Sequence, residues 1–519
     1  RNFLIFGYPP IMCGQVLSIG TMIYEHNTFL IDKKNEVFMT IQAEPGLARE
    51  LSDFFTFFVP GYRFMPSYRN KIWDGKIRLY NLSNNHLYCG LINYVEKFVQ
   101  ERKYKIDYKT SPKNINGYNQ NDYERLVRSL NLEMVPRDYQ RDAFLHSINY
   151  ERSLLLSPTA SGKSLIIYLI LRHYQMRLSN FKAIVIVPTT SLVVQMNSDF
   201  AEYAKKDRWN ANDNIHMIYS GYDKVSDKPI FVSTWQSLYK MPLGYFSDFD
   251  VVIGDEAHQF KAKSLTAIME KTINTRYRFG TTGTLDDTQT HRLALEGLFG
   301  PVYKVTTTKT LIDNNTLSQF EIKALVLQYP EKICKSLKNA NYQEEIEFII
   351  SNKIRNNFIR NLALSLNNNT LILFQLVKKH GTILYNIIKE KTDVCNRTTF
   401  FVFGGTATDT REEIRGIVEH ESNAIIIASY GTYSTGINIT NLHNIIFASP
   451  SKSRIRNLQS IGRGLRKNDA KEIATLYDIA DDLSYKSHKN YTLNHFIERI
   501  KIYNEEQFEY KILTIPIRE

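Results

Sequence analysis

The sequence predicts an α/β protein with two tandem parallel-sheet domains behind a small α+β N-terminal domain. Three observations carry that prediction. The stretch Ser157-Pro-Thr-Ala-Ser-Gly-Lys-Ser164 sits between a short apolar run, Ser153–Leu156, and an apolar run of helical length that begins at Leu165. Two separate series of short apolar segments alternate with helical stretches, the pattern of parallel sheets covered on both faces. Ahead of both, the chain alternates polar and apolar residues with period two, broken by turn residues, as hairpins do.

At 519 residues the chain is too long for one core and suggests about three or four domains. Its hydrophobic content of 43% and charged content of 23% describe a soluble globular protein. The net charge of +12 favours an anionic partner, nucleic acid first. An AT-biased coding sequence would also enrich Asn, Lys, Ile, Tyr and Phe, so the charge supports this reading without proving it. The four cysteines, Cys13, Cys89, Cys334 and Cys395, are far apart and lack ligand spacing. That excludes a zinc ribbon or a disulfide framework and fits a reducing compartment. No apolar run reaches the roughly 18 residues that a membrane span needs.

The chain opens on Arg1, and the first alternation follows Met22. Translation is therefore expected to start at Met22, leaving 1–21 as an unassigned extension. Residues 22–108 form the expected N-terminal nucleic-acid-binding domain. Thr28–Ile31 and Glu36–Ile41 read as one hairpin, Pro45–Phe58 as a short amphipathic helix, and Tyr68–Tyr80 as a second hairpin turning at Asp74-Gly75. The second hairpin mixes Arg63, Arg69, Lys71, Lys76 and Arg78 with Tyr62, Tyr68 and Trp73. Cations for phosphates and rings for bases are what single-strand or junction binding uses; an aromatic core with solvated charges is an equal alternative. Residues 109–122 read as a linker, 123–307 as the first parallel-sheet domain, 308–369 as a connector and 370–519 as the second parallel-sheet domain with C-terminal helices.

The strand ends of the first domain deliver polar residues to one rim. Val187 leads to Pro188-Thr-Thr, Val232 to Ser233-Thr-Trp-Gln236, Ile253 to Asp255-Glu-Ala-His258, and Phe279 to Thr281-Thr-Gly-Thr284. Open parallel sheets bind ligands at that edge. In the 157–164 loop, backbone N–H groups of Thr159, Ala160, Ser161 and Gly162 and the following helix N-terminus attract phosphate. Lys163 supplies a charge for the β/γ-phosphates and the Ser164 hydroxyl a ligand for Mg²⁺. Asp255, at the end of an apolar strand, can hold Mg²⁺, and Glu256 can deprotonate the attacking water. A polar turn and an acidic helix start are the bland alternatives. The second domain has no such loop. It offers Gly431–Asn438 after one strand and Gln459-Ser-Ile-Gly-Arg-Gly-Leu-Arg466, where Arg463 and Arg466 share a helical face suited to a phosphate.

These motifs stand in the order of superfamily 2 DEAH-box helicases. Arg137-x-Tyr-Gln140, the phosphate loop, Pro188-Thr-Thr, Thr234-Trp-Gln236, Asp-Glu-Ala-His, Thr-Thr-Gly-Thr, Ser434-Thr-Gly-Ile-Asn438 and Gln-x-x-Gly-Arg-x-x-Arg follow one another over about 125–480. Within that superfamily the chain resembles the type III restriction branch and its phage DNA helicases. Gly61-Tyr-Arg-Phe64 and Trp73-Asp-Gly-Lys-Ile-Arg-Leu79 extend the resemblance to the N-terminal domain. Two departures stand out: Ser157 replaces the usual loop glycine, and Thr281-Thr-Gly-Thr284 replaces the commoner Ser/Thr-Ala-Thr.

The resemblance implies two RecA-like domains and an ATP- and Mg²⁺-dependent DNA helicase. It implies branch migration, fork regression and removal of R-loops and D-loops, in phage recombination, repair and replication. Arg137 and Gln140 would read adenine, with Gly436 and Asn438 binding ATP from the second domain. Arg463 and Arg466 would act as arginine fingers. His258, Thr282, Thr284 and Gln459 would couple hydrolysis to movement, and Pro188, Thr189, Thr234 and Gln236 would touch the nucleic-acid backbone. The implied partners are branched or single-stranded DNA and RNA–DNA hybrid, with no membrane, for a monomer in the bacterial host cytoplasm. A duplex translocase of a restriction-type complex and an annealing protein with incidental ATPase are the competing functions.

Overall fold

A computed structural model describes residues 27–518 except 262, 286–287, 395–396, 437–438, 440, 452, 454–459 and 463–472. The expected extension 1–21 lies outside the described residues, as do Asn438, Gln459, Arg463 and Arg466.

The N-terminal unit is a mixed sheet in the order β5-β2-β1-β6, made of β1 (Thr28–Lys33), β2 (Phe38–Gln42), β5 (His86–Tyr88) and β6 (Lys105–Thr110). β1 and β2 form the expected first hairpin, with Ile31 opposite Ile41. Helices Pro45–Phe54 and Ile92–Arg102 close a core of Phe29, Ile31, Leu51, Val95 and Phe98.

The second hairpin differs from expectation. Its strands are β3 (Thr56–Phe58) and β4 (Lys76–Arg78), and the run 68–73 is not a strand. Pro66 instead opens a helical turn, Pro66–Arg69, where its fixed φ and missing N–H cost nothing. The turn at Gly75 is real, with φ +79. Residues 59–75 thus form a long loop, held by the stack of Phe58 on Tyr62 at 4.6 Å, the edge contact of Tyr62 with Tyr68 at 4.7 Å, and Trp73 Nε1 donating to Lys76 O at 2.9 Å.

The segment expected as a free linker is tied down. Asn114 and Asn116 donate to Glu151 at 2.8 and 3.2 Å, and helix Gln120–Leu130 has already begun within it, capped by Asn119.

The first large sheet is parallel throughout and has seven strands in the order β13-β7-β12-β11-β8-β10-β9. Five are the expected ones: β7 (Arg152–Leu156), β8 (Ala183–Val187), β10 (Ile230–Thr234), β11 (Val251–Asp255) and β12 (Tyr277–Thr282). The sequence reading missed two edge strands, β9 (Ile215–Ile218) and β13 (Val302–Lys304). Helix Lys163–Gln175 is buried on all sides from Leu165 to Tyr174, which explains its continuous apolar run from Leu165 to Leu171. The N-terminal unit packs on this domain through Tyr88, whose hydroxyl donates to Glu270 at 2.5 Å, and through Arg152, whose Nη2 lies 3.2 Å from Glu36 Oε2.

The second large sheet is also parallel and seven-stranded, in the order β16-β17-β15-β18-β19-β14-β20. Five of its strands form the alternating series expected over 370–519: β15 (Thr370–Phe374), β16 (Thr399–Val402), β17 (Ile425–Ser429), β18 (Asn444–Phe447) and β19 (Ile473–Asp482). It also contains β14 (Gln319–Gln328) and β20 (Tyr510–Pro516). The 308–369 segment is therefore no connector. It supplies β14 and the helices Glu331–Leu337, Tyr342–Ser351 and Lys353–Ser365 to the second domain, which begins well before residue 370. Two buried ion pairs stitch this domain together, Arg355 to Asp481 at 2.7 Å and Arg499 to Asp478 at 2.8 Å. Among the described residues, no helix is long and apolar enough to cross a membrane.

Candidate nucleotide and nucleic-acid sites

The loop after β7 is shaped by its own hydroxyls. Ser157 Oγ and Ser161 Oγ are 2.5 Å apart, and Ser161 Oγ also donates to Pro158 O at 2.6 Å. Ser157 N donates to Thr282 O at 2.8 Å, tying the loop to β12. The serine in the usual glycine position thus adds an internal tie. Ala160 and Gly162 take positive φ, +65 and +79, turning the backbone back on itself ahead of Lys163. A side chain at Gly162 would meet Gln140 Nε2 at 2.3 Å.

Gln140 is buried beneath this loop. Its Nε2 donates to Ser161 O at 2.9 Å, and its Oε1 accepts from Arg137 N at 2.8 Å. Arg137 Nη1 bonds the Tyr139 hydroxyl at 2.9 Å. Of the two residues expected to read adenine, Gln140 braces the phosphate loop directly, and Arg137 is tied to Gln140 through its backbone.

The acidic pair closes the other side. Lys163 Nζ donates to Glu256 Oε1 at 3.1 Å, across 93 residues of sequence. Asp255 is buried at the end of β11, and burial pushes its carboxyl up while Lys163 pulls it down. Its Oδ1 accepts from Thr281 Oγ1 at 2.6 Å and from Glu256 N at 2.9 Å. His258 Nδ1 lies 3.4 Å from Glu256 Oε2 and 3.0 Å from Thr282 Oγ1. Thr282 Oγ1 in turn donates to Thr284 O at 2.8 Å. A continuous polar line therefore runs from Lys163 through Glu256 and His258 to Thr282 and Thr284. At Gly283 an added Cβ would make only ordinary contacts, 3.5 Å from Ser157 O and 3.8 Å from Lys163 Nζ, so the departure from alanine there changes little.

Ser164 and Asp255 offer hard oxygen donors, the kind Mg²⁺ takes. No motif points to the partner of Ser164: its Oγ is 2.7 Å from the Tyr203 hydroxyl, at the far end of helix Thr190–Tyr203.

The second domain reaches this site. Tyr139 and Ala160 pack against its core. Gly462 lies so close to the loop that a Cβ there would stand 2.8 Å from Thr159 Cβ. A cleft of about 410 Å³ between the domains is lined by Thr159, Gly283, Lys304, Thr307, Gly462 and Glu506. Gly436 ends helix Tyr430–Gly436, which follows β17.

The candidate nucleic-acid residues fall in two places. Pro188 and Thr189 follow β8, Thr234 ends the neighbouring β10, and Gln236 follows it. Thr189 caps helix Thr190–Tyr203, and Gln236 is exposed. Thr234 is buried, with its hydroxyl 3.1 Å from Ser237 Oγ. The other place is the 59–75 loop and β4. Arg63, Arg69, Lys71 and Arg78 are exposed there, Lys76 lies over the Phe58 ring at 5.0 Å, and Arg78 pairs with Asp74. The rings expected to stack on bases, Tyr62, Tyr68 and Trp73, are half-buried and hold the loop together. The apolar groups it exposes most are Phe64, at 76%, and Ile72, at 79%, with Met65 less so. In the sequence Ile72 is neither a ring nor a cation and carries no binding signal, and Phe64 enters only as part of Gly61-Tyr-Arg-Phe64.

Comparison with known proteins agrees with this geometry. Residues 133–287 match the family model described as type III restriction enzyme, res subunit, and residues 31–109 match the one described as DNA helicase UvsW, N-terminal. The ATP-dependent DNA helicase uvsW of Enterobacteria phage T4 is 35% identical over 92% of this chain and 97% of its own length. The crystal structure of T4 UvsW superposes with a TM-score of 0.50 and 33% identity, covering 95% of this chain and 100% of that one. The type ISP restriction-modification enzyme LlaBIII, at 15% identity and a TM-score of 0.53 over 82% of this chain and 36% of that one, shares the fold. The phosphate loop, the acidic pair and the extent of the T4 match place the chain in one family: it belongs to the UvsW family of ATP-dependent DNA helicases.

Proposed function

We propose that this helicase remodels branched DNA, driving branch migration, fork regression and removal of R-loops and D-loops with Mg²⁺-ATP. The observation that carries the branched-DNA reading is the 59–75 loop. It projects Arg63, Arg69 and Lys71 from a domain outside the motor, and its own aromatic stack holds them in place. Motor domains grip a backbone, and something else must recognise the point where strands part.

The chemistry follows from the named groups. The loop amides and Lys163 bind the phosphates. Ser164 and Asp255 would hold Mg²⁺, which would neutralise phosphate charge. Glu256 orients the attacking water and takes its proton. His258 and Thr282 pass the resulting shift toward β12. Lys163→Ala is expected to slow hydrolysis about 10²–10³-fold, the cost of removing one preorganised stabiliser of developing charge. Strand binding, measured by anisotropy, should stay close to wild type. Turnover near the wild-type rate would move the active site elsewhere.

Replacing Arg63, Arg69, Lys71, Lys76 and Arg78 together should weaken binding to forks and four-way junctions more than to plain single strands. The slope of log affinity against log salt should flatten by about 0.7–0.9 for each phosphate no longer neutralised. ATPase without DNA should be unchanged, since Lys163 lies in another domain. Equal junction affinity across a salt titration would reduce the loop to a structural cap. ATPase stimulation by single strands, duplex, junction and RNA–DNA hybrid ranks the substrates. Stimulation by duplex without strand separation would favour the translocase.

A further inference from the structure

The second sheet carries a pocket that the motor chemistry does not use. From β15 the chain builds β16 and β17 on one side and then crosses to place β18 on the other. β15 and β18 therefore flank the point where the winding reverses. Open parallel sheets bind ligands in the crevice outside the strand ends at such a point. Gln375 directly follows β15, and Pro450 and Ser451 follow β18. Together with Tyr342, Tyr491 and His495 they line a cavity of about 340 Å³.

We infer that this pocket takes one unstacked base of a bound DNA strand. Its described lining combines the rings of Tyr342, Tyr491 and His495 with the polar groups of Gln375 and Ser451, which suits a flat ring with polar edges. Its rings are preset for stacking. Tyr342 meets Tyr491 edge-on at 6.0 Å and His495 at 5.4 Å, and the two tyrosines remain 39% and 44% exposed. The framework beneath is fixed. Buried Glu345, on helix Tyr342–Ser351, accepts from Tyr491 N at 2.9 Å, Thr492 N at 2.7 Å and Asn490 Nδ2 at 2.8 Å. That carboxylate welds the start of helix Tyr491–Glu505 to the helix bearing Tyr342. On the floor, Ser449 Oγ accepts from Gln375 N at 3.1 Å and lies 3.0 Å from His380 Nδ1. A base entering this site replaces its stacking neighbour with protein rings, which is how single strands are held without sequence preference.

The inference rests on the helicase reading, and the test separates the two. A single-stranded oligonucleotide carrying one 2-aminopurine, moved stepwise along it, is titrated into the full chain. Wild type should quench the probe strongly at one position. Tyr491→Ala should lose that quenching and bind the strand about 5- to 150-fold more weakly, while Tyr491→Phe keeps both. Tyr342→Ala, on the other helix, should lose quenching at the same position. Melting and ATPase without DNA should match wild type in all three variants. Unchanged quenching and affinity in Tyr491→Ala and Tyr342→Ala overturn the pocket alone, as does a loss of ATPase without DNA, which marks a structural role. Failure of wild type to bind any strand overturns the helicase reading with it.

Discussion

Glu256→Gln should slow ATP hydrolysis about 10²–10⁴-fold, the usual worth of a general base, while ATP still binds. The geometry explains why the amide is the informative change. Glu256 Oε1 accepts from Lys163 Nζ, and a glutamine oxygen can do the same, so the loop keeps its shape. What the amide cannot do is take a proton from water. The residue also sits at φ +50, a conformation that side chains larger than glycine rarely adopt. Such strain, on the order of 1–3 kcal/mol, gathers at functional sites. Gln carries the same strain, so the substitution isolates the chemistry. Single-turnover hydrolysis and filter binding of labelled ATP check the two halves. Loss of ATP binding along with hydrolysis would make Glu256 a brace for Lys163 and not a base.

The central strands of both sheets were legible because they are buried on both faces. Val251-Val-Ile-Gly254 and Ala424-Ile-Ile-Ile-Ala428 are continuous apolar runs, as interior parallel strands are. The edges were not. Val302-Tyr-Lys304 is short and half-exposed, and β20 lies at the sheet edge with most of its residues exposed. β14 was hidden for another reason. Its partners are β19 and β20, more than a hundred residues away, so nothing local marks Gln319–Gln328 as part of the second domain. Without them the stretch read as a connector.

The chemical site divides the same way. Lys163 and Glu256 were readable because each motif follows an apolar strand and the carboxylates come from one string. Tyr203, 39 residues from Ser164, belongs to no motif, and only the packing of two helices brings the hydroxyls together. In the N-terminal loop the alternation of Tyr68–Trp73 imitated a strand. Instead Pro66 opens a helical turn there, and Tyr62, stacked on Phe58 and edge-on to Tyr68, holds the loop.

Arg466→Ala should leave ATP affinity almost intact and slow hydrolysis about 10³–10⁵-fold, the cost of losing an arginine finger in related NTPases. Arg466 lies outside the described residues, and its proposed role rests on what leads into it. Ala448 O accepts from Arg355 Nη2 at 2.9 Å and Ser451 O from Arg499 Nη1 at 3.0 Å. Both arginines are buried and paired, so the chain leaving β18 is held at two points. It re-emerges at Ser460–Gly462, with Gly462 against Thr159 of the phosphate loop. The next residue in the sequence is Arg463, and Arg466 is three residues further on. A guanidinium from Arg466 at the phosphate loop would meet charge that grows only as the phosphoryl group transfers, so its loss would fall on the rate and not on binding. Lys in place of Arg466 should recover only part of the rate, because an ammonium lacks the planar fork. Equilibrium binding of a fluorescent ATP analogue and single-turnover hydrolysis distinguish these effects. A variant that no longer binds nucleotide would give Arg466 a structural place in the interface between the two domains.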